Sequence, residues 1–129
     1  MLEDISSRED IKLIITEFYK ELVSDVKMRP FFEEIIEKNQ LESHLETITD
    51  FWQDILLETA LYENNVLQKH LTIDKKMKFK KEHFEKWLAY LSSTIATFFE
   101  GRVAEKMKAR ARSIATVMQL KMNLYNSCN

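Results

Sequence analysis

A chain of 129 residues is long enough for one domain with its own core, and 45% hydrophobic and 31% charged residues are typical of a globular protein. The net charge of −2 argues against general nucleic-acid binding, and no apolar run approaches the ~20 residues that a membrane span needs. A single Gly and a single Pro exclude glycine-rich phosphate loops and disfavour tight hairpins, so we expect an all-α fold.

The first residues, Met1 to Ile5, lack the basic and apolar regions of a signal peptide, which predicts a cytoplasmic protein. The one cysteine, Cys128, excludes an internal disulfide. We find no repeat, low-complexity tract or linker, and we therefore expect a single domain over residues 1–129.

The first predicted helix opens at Ser7, whose hydroxyl can cap free amides while Asp10 supplies the carboxylate of a capping box. One face of this helix carries Ile11, Ile15, Phe18, Leu22 and Val26 at steps of three and four. Tyr19 lies beside that stripe. Pro30 then interrupts the helix, and the apolar residues after it predict a short helical turn that contains Phe31, Phe32, Ile35 and Ile36.

The second long helix has the clearest periodicity, with His44 on the same face as Leu41, Leu45, Ile48, Trp52, Ile55 and Thr59. Paired asparagines at 64 and 65 predict a break, because Asn favours turns. Asn65 can cap a short helix with one apolar side made of Leu67, His70 and Leu71. The lysine-rich stretch from Asp74 to Lys81 predicts an exposed connection.

A third long helix is predicted by the spacing of Phe84, Trp87, Leu88, Leu91, Ile95 and Phe98. We expect His83 on its surface and Gly101 as its left-handed C-terminal cap. The last helix is predicted over residues 103–125, with an inward face made of Met107, Ala111, Ile114, Met118 and Met122.

Two histidines, His44 and His70, lie on apolar faces of different predicted helices, and Tyr19 and Trp87 lie on two more. A histidine on such a face is most often a core residue with a satisfied hydrogen bond, but each of these four groups needs a polar partner when buried. A haem pocket would accommodate all four together. The chain lacks a His-Glu-x-x-His motif, cysteine pairs, Glu-x-x-His motifs and a glycine turn for a nucleophilic serine, so zinc, di-iron and hydrolase sites are disfavoured.

Short sequence motifs support the hypothesis of a haem pocket by their order and spacing along the chain. They are Phe18-Tyr19, Pro30-Phe31-Phe32, His44, Phe51-Trp52, Tyr62, His70-Leu71, Phe84-Glu85-Lys86-Trp87-Leu88 and Arg112-Ser113-Ile114-Ala115. From about Arg8 to Met122 the sequence resembles the group III truncated haemoglobins, or 2/2 globins. The double-glycine motifs of the other truncated globin groups are absent.

The resemblance implies a two-over-two helical sandwich around haem b, with His70 as the iron ligand. It also implies that Tyr19 and Trp87 donate hydrogen bonds to the gas ligand, and that the distal His44 gates the pocket. Two polar donors would stabilise partial negative charge on dioxygen and slow its release.

Further positions match residues that line the haem in this family. Phe32 falls on the phenylalanine that packs against the porphyrin, and Ile48 and Trp52 are expected as further wall residues. The family often has Tyr-x-Gly-x-Pro before the proximal helix, whereas this chain has Asn64 at the glycine position and Val66 at the proline position. Asn can adopt the left-handed backbone of glycine at modest cost, so the departure affects the shape of the loop and leaves iron ligation intact.

We therefore expect a haem protein that binds dioxygen, nitric oxide or other diatomic ligands at ferrous iron, with a role in ligand chemistry, sensing or detoxification. One alternative is a nitric oxide dioxygenase or peroxidase-like enzyme, which would need an external reductase because the chain has no flavin or nicotinamide domain. Another is a haem-free helical regulatory module whose apolar face binds a partner helix.

Overall fold

The fold is that of a computed structural model, which describes residues 2–59 and 80–127 and, beyond residue 121, the backbone only. Within these ranges the chain forms helices and no strand, which confirms the predicted all-α fold. The α-helices are α1 (Arg8–Ser24), α2 (Glu33–Glu37), α3 (Leu41–Leu57), α4 (Lys81–Phe98) and α5 (Arg102–Ser127), and a short 3₁₀ helix (Arg29–Phe32) precedes α2.

Helix α1 begins where the capping signature predicts. The Ser7 hydroxyl accepts the Asp10 N–H at 3.3 Å, and the Asp10 carboxylate accepts the Ser6 N–H at 2.9 Å. The prediction for Val26 is wrong, because the helix ends at Ser24 and the Val26 side chain is 88% exposed.

Helix α3 ends two residues earlier than its apolar periodicity suggests. Glu58 adopts a left-handed backbone with φ of 58°, which terminates the helix at Leu57. Thr59, predicted to continue the apolar face, therefore lies beyond the helix. Hydrophobic spacing alone could not reveal this end, since a non-glycine residue takes the left-handed conformation.

Gly101 starts α5 instead of capping the preceding helix, so that prediction is wrong. Its carbonyl accepts the Glu105 N–H at 3.0 Å, the first bond of α5. Its φ is +146°, and a Cβ there would lie 2.4 Å from Cγ of Asp4. The Asp4 carboxylate in turn accepts the N–H groups of Val103 and Ala104 at 2.8 and 2.9 Å. Glycine is therefore required for the close approach of the carboxylate that caps α5.

His83 was expected on the surface, and that expectation is wrong. Its ring is buried against Phe31, with 4.8 Å between ring centroids, and its Nδ1 accepts the Lys80 N–H at 2.8 Å. This bond satisfies a free amide at the start of α4 and requires the neutral ring. Burial lowers the pKa of His83, which agrees with that role.

The helices stack as two pairs, α1 with α3 and α4 with α5, and α1 packs across α4. The centre of this sandwich is apolar, and its fully buried side chains include Ile11, Ile14, Ile15, Leu22, Met28, Leu91, Ile95 and Met107. Among the described residues, no helix is both long and apolar enough to span a membrane. Among the described residues, a small cavity lies between aromatic side chains of the stacked helices, and it marks the candidate site.

Candidate functional site

A cavity of about 30 Å³ lies where α1, α3, α4 and α5 meet. This volume is enough for one water molecule or a diatomic gas. Most of the lining surface is apolar, and the lining residues that carry a hydrogen-bond donor in the side chain are one tyrosine and two tryptophans. The lining side chains are Phe18, Tyr19, Ile48, Phe51, Trp52, Trp87, Ile114 and Met118.

Tyr19 is the most constrained polar group of the site. Its side chain is buried on α1, with its ring edge-on to Phe18 and Phe32 at centroid distances of 5.4 Å each. Its hydroxyl oxygen lies 2.9 Å from Nε2 of His44, which α3 supplies. Burial raises the pKa of Tyr19, because the phenolate would lose its hydration. The hydroxyl therefore keeps its proton and can act as a donor.

Trp87 reaches the same cavity from α4. Its ring lies edge-on to Phe18, with 5.9 Å between centroids. Because Phe18 also contacts Tyr19, one phenylalanine ring separates the two groups and spaces them across the cavity. Aromatic edge-to-face contacts of this kind favour defined ring orientations, so both donors are held by packing as well as by the backbone.

The structure brings six of the predicted site residues together. Tyr19, Ile48, Trp52 and Trp87 line the cavity, and Phe32 and His44 contact the Tyr19 side chain. The predicted iron ligand, His70, and the short helix predicted around it lie outside the described residues.

Four lining residues were predicted only as core or motif positions. Ile114 and Met118 stand one turn apart on the inward face of α5, and Phe18 and Phe51 belong to apolar faces of α1 and α3. Their helical spacing indicates burial. It contains no signal for the cavity, because that depends on which helix packs opposite.

Outside this cavity, the described parts of the chain show no cluster of three or more His, Cys, Asp or Glu side chains that could hold a metal ion. The polar groups around the cavity are a hydroxyl, an imidazole and indoles. Such a set does not form a multi-carboxylate or thiolate metal site. It suits a small neutral ligand that accepts hydrogen bonds.

The helix stacking is that of the truncated globin fold, as comparison with known proteins shows. The chain matches the crystal structure of a group III truncated haemoglobin from Campylobacter jejuni with a TM-score of 0.84, at 25% sequence identity over 95% of each chain. In sequence it is 27% identical over 115 residues to the group 3 truncated haemoglobin of the same organism, which covers 88% of both chains. No family model matches the chain. The predicted resemblance to the group III truncated haemoglobins is thus confirmed in sequence and in fold.

Proposed function

We propose that this protein binds haem b and uses it to bind a diatomic gas, with His70 as the iron ligand. The observation that carries the proposal is the cavity itself, where apolar walls enclose a protonated tyrosine hydroxyl and an indole from two different helices. The truncated haemoglobin relatives support the same class of function.

The side chains around the cavity have the chemical character that a haem requires. Phe32, Ile48 and Trp52 offer apolar and aromatic surface of the kind that packs against a porphyrin, and all three lie around Tyr19 or the cavity. A cavity of about 30 Å³ holds a gas molecule and is too small for the macrocycle. We therefore assign this cavity to the gas and its lining to one side of the haem.

When bound, the haem would supply a ferrous iron at which the gas binds. Tyr19 and Trp87 would donate hydrogen bonds to the gas, and the apolar lining would exclude water that competes for those donors. His44 competes with the gas for the Tyr19 hydroxyl, because it lies within hydrogen-bond distance of that oxygen. Two donors slow the release of dioxygen, so ligand chemistry, sensing or detoxification fits better than transport.

The test is the absorption spectrum of the protein purified after expression with ample haem. We expect a Soret band in the wild type and its loss or marked shift in His70→Ala, with helical circular dichroism largely retained. The matched control is His83→Gln, which removes another histidine but keeps an acceptor for the Lys80 N–H. A wild type without a Soret band would favour the haem-free regulatory module, and an unchanged spectrum in His70→Ala would reject His70 as the ligand.

The enzymatic alternative uses the same pocket and differs in its supply of electrons. Nitric oxide dioxygenation or peroxidase-like turnover would need an external reductase. Nitric oxide consumption that continues over many turnovers when a reductase is present, and stops after one when it is absent, would favour the enzyme. Consumption limited to a single turnover in both cases would favour reversible binding.

A further inference from the structure

Asp25 forms a buried polar junction directly after α1. Its side chain is 8% exposed. One carboxylate oxygen, Oδ2, accepts the Tyr90 hydroxyl at 2.5 Å and the Lys86 ammonium at 3.0 Å. The other, Oδ1, accepts the backbone N–H groups of Lys27 at 2.8 Å and Met28 at 3.2 Å. Both oxygens are thus fully used, each toward a different segment of the chain.

The two segments that Asp25 joins both lead to the candidate site. Lys86 and Tyr90 stand one turn apart on α4, and Trp87 lies between them in sequence. The turn at Lys27 and Met28 leads into the 3₁₀ helix that ends at Phe32, whose ring contacts Tyr19. A single carboxylate therefore ties α4 to the end of α1 next to the residues of the cavity.

The position of α4 along α1 matters for donor geometry. An α-helix rises ~1.5 Å per residue, so a slip by one residue would displace the Trp87 indole by about that distance. Hydrogen bonds of stabilising strength require donor–acceptor distances within a few tenths of an ångström of ~2.9 Å. Apolar contacts between helices tolerate small shifts, whereas charge-assisted hydrogen bonds to one buried carboxylate do not.

We propose that Asp25 is a positioning residue that, through Tyr90 and Lys86, holds Trp87 within hydrogen-bond reach of the gas. The inference rests on the proposed function, since it presumes a gas ligand in the cavity. It adds a residue that is not among those lining the cavity, and it assigns a role to two α4 side chains that flank Trp87 in sequence.

The test uses Tyr90→Phe and Asp25→Asn in the haem-loaded protein. Tyr90→Phe removes one bond to α4 and keeps the ring. Asp25→Asn replaces one of the two acceptor oxygens with an amide NH₂ group, which donates and cannot accept a hydrogen bond. The matched control, Thr94→Val, removes another α4 hydroxyl, which bonds only the Tyr90 carbonyl and does not reach Asp25. We measure dioxygen dissociation and the stretching frequency of bound carbon monoxide, which rises when a hydrogen bond to it is lost.

We expect both variants to speed dioxygen release about threefold and to raise the carbon monoxide frequency toward that of Trp87→Phe. Thr94→Val should match the wild type. In a Trp87→Phe background, Tyr90→Phe should add nothing, because the donor that it positions is already absent. In haem-free protein that carries Trp52→Phe, Tyr90→Phe should also shift the emission of Trp87, the remaining tryptophan.

The outcomes separate this inference from the proposed function. If Trp87→Phe changes dioxygen release while Tyr90→Phe and Asp25→Asn do not, the positioning role is wrong and the proposed function stands. If the effects of Tyr90→Phe and Trp87→Phe are additive, Asp25 acts through another group and the inference is also wrong. If Trp87→Phe and Tyr19→Phe both leave release unchanged, the donor roles of these residues are wrong, and the positioning role fails with them. The proposed function itself fails if the wild type shows no Soret band.

Discussion

Helix α1 is joined to its two neighbours by polar contacts of opposite kinds. Toward α3, Arg8 binds Glu46 at 2.6 Å and Asp50 at 2.7 Å, and Lys12 binds Glu46 as well, all at a half-exposed rim where the Glu46 side chain is 46% exposed. Toward α4, the Asp25 side chain is 8% exposed, whereas its partner Lys86 is 37% exposed. Both contacts involve carboxylates and cations, and they differ chiefly in how exposed the carboxylate is.

The exposure of the carboxylate decides how much each contact contributes to the free energy of unfolding. Exposed ion pairs are worth about 0–1 kcal/mol, because water and salt screen them and long side chains lose entropy. Removing a little-exposed acceptor leaves its donors without a partner and costs about 1–3 kcal/mol. We infer that the Asp25 bonds fix α4, which carries Trp87, to the end of α1 more firmly than the exposed ion pairs fix α3, which also contacts α1 through Tyr19 and His44. The two sides of the cavity are therefore supported differently.

The largest expected effect comes from Asp25→Ala. This change removes the acceptor of four donors, and we expect the free energy of unfolding to fall by about 2 kcal/mol. Urea denaturation measures it. Glu46→Ala is the control at the α3 rim and should cost less than about 1 kcal/mol. Equal losses in the two variants would contradict the distinction between buried and exposed contacts.

A smaller effect is expected from Tyr19→Phe and Trp87→Phe, each of which removes one donor to the gas. We expect dioxygen dissociation to accelerate about tenfold in each, as a hydrogen bond worth about 1.4 kcal/mol would predict. Stopped-flow absorbance measures the rate. Unchanged rates in both variants would remove the basis for slow release.

Acid should weaken the α4 anchor, by which we mean the bonds of Asp25 to Tyr90 and Lys86, because these bonds depend on the ionised carboxylate. The Tyr90 hydrogen bond and Lys86 hold the pKa of Asp25 well below its usual range. The lowered pKa means that this stabilisation is complete above the unfolded value of about 3.9 and is lost as the pH falls through the folded value. We expect the wild type to lose up to about 1.4 kcal/mol more per pH unit below pH 4 than Asp25→Asn does. Parallel pH profiles for the two proteins would argue against the anchor.

The smallest effect is expected at the α3 rim. Arg8→Ala should lower the free energy of unfolding by less than about 1 kcal/mol, and 1 M salt should abolish most of the difference from the wild type. Thermal melts at low and high salt measure it. A salt-insensitive loss of about 2 kcal/mol would place these pairs in the same class as Asp25.

Much of the helical framework could be predicted from local patterns. The Ser7 cap and the apolar steps of α1, α3 and α4 follow from hydroxyl capping and from the 3.6-residue period, which act within one or two turns. Helix ends were harder to predict. Glu58 and Gly101 depend on backbone conformations, and the role of Gly101 depends on Asp4, which is remote in sequence.

The residues in and around the candidate site also include some that the sequence indicates and others whose role depends on tertiary packing. Tyr19, His44 and Trp87 could be chosen from the sequence because each places a polar atom on an apolar face, and the resemblance to truncated haemoglobins gave them roles. Nothing local marks Asp25 as buried or His83 as a cap, since a charged or titratable residue near a helix end is usually solvated.

Periodicity and capping are properties of neighbouring residues, so the chain alone indicates where helices form and which faces turn inward. The meeting of Tyr19 with His44, of Phe18 with Trp87 and of Asp25 with Tyr90 joins residues far apart in sequence. Such contacts arise only when whole helices pack, because their geometry depends on the shape and volume of every side chain between them.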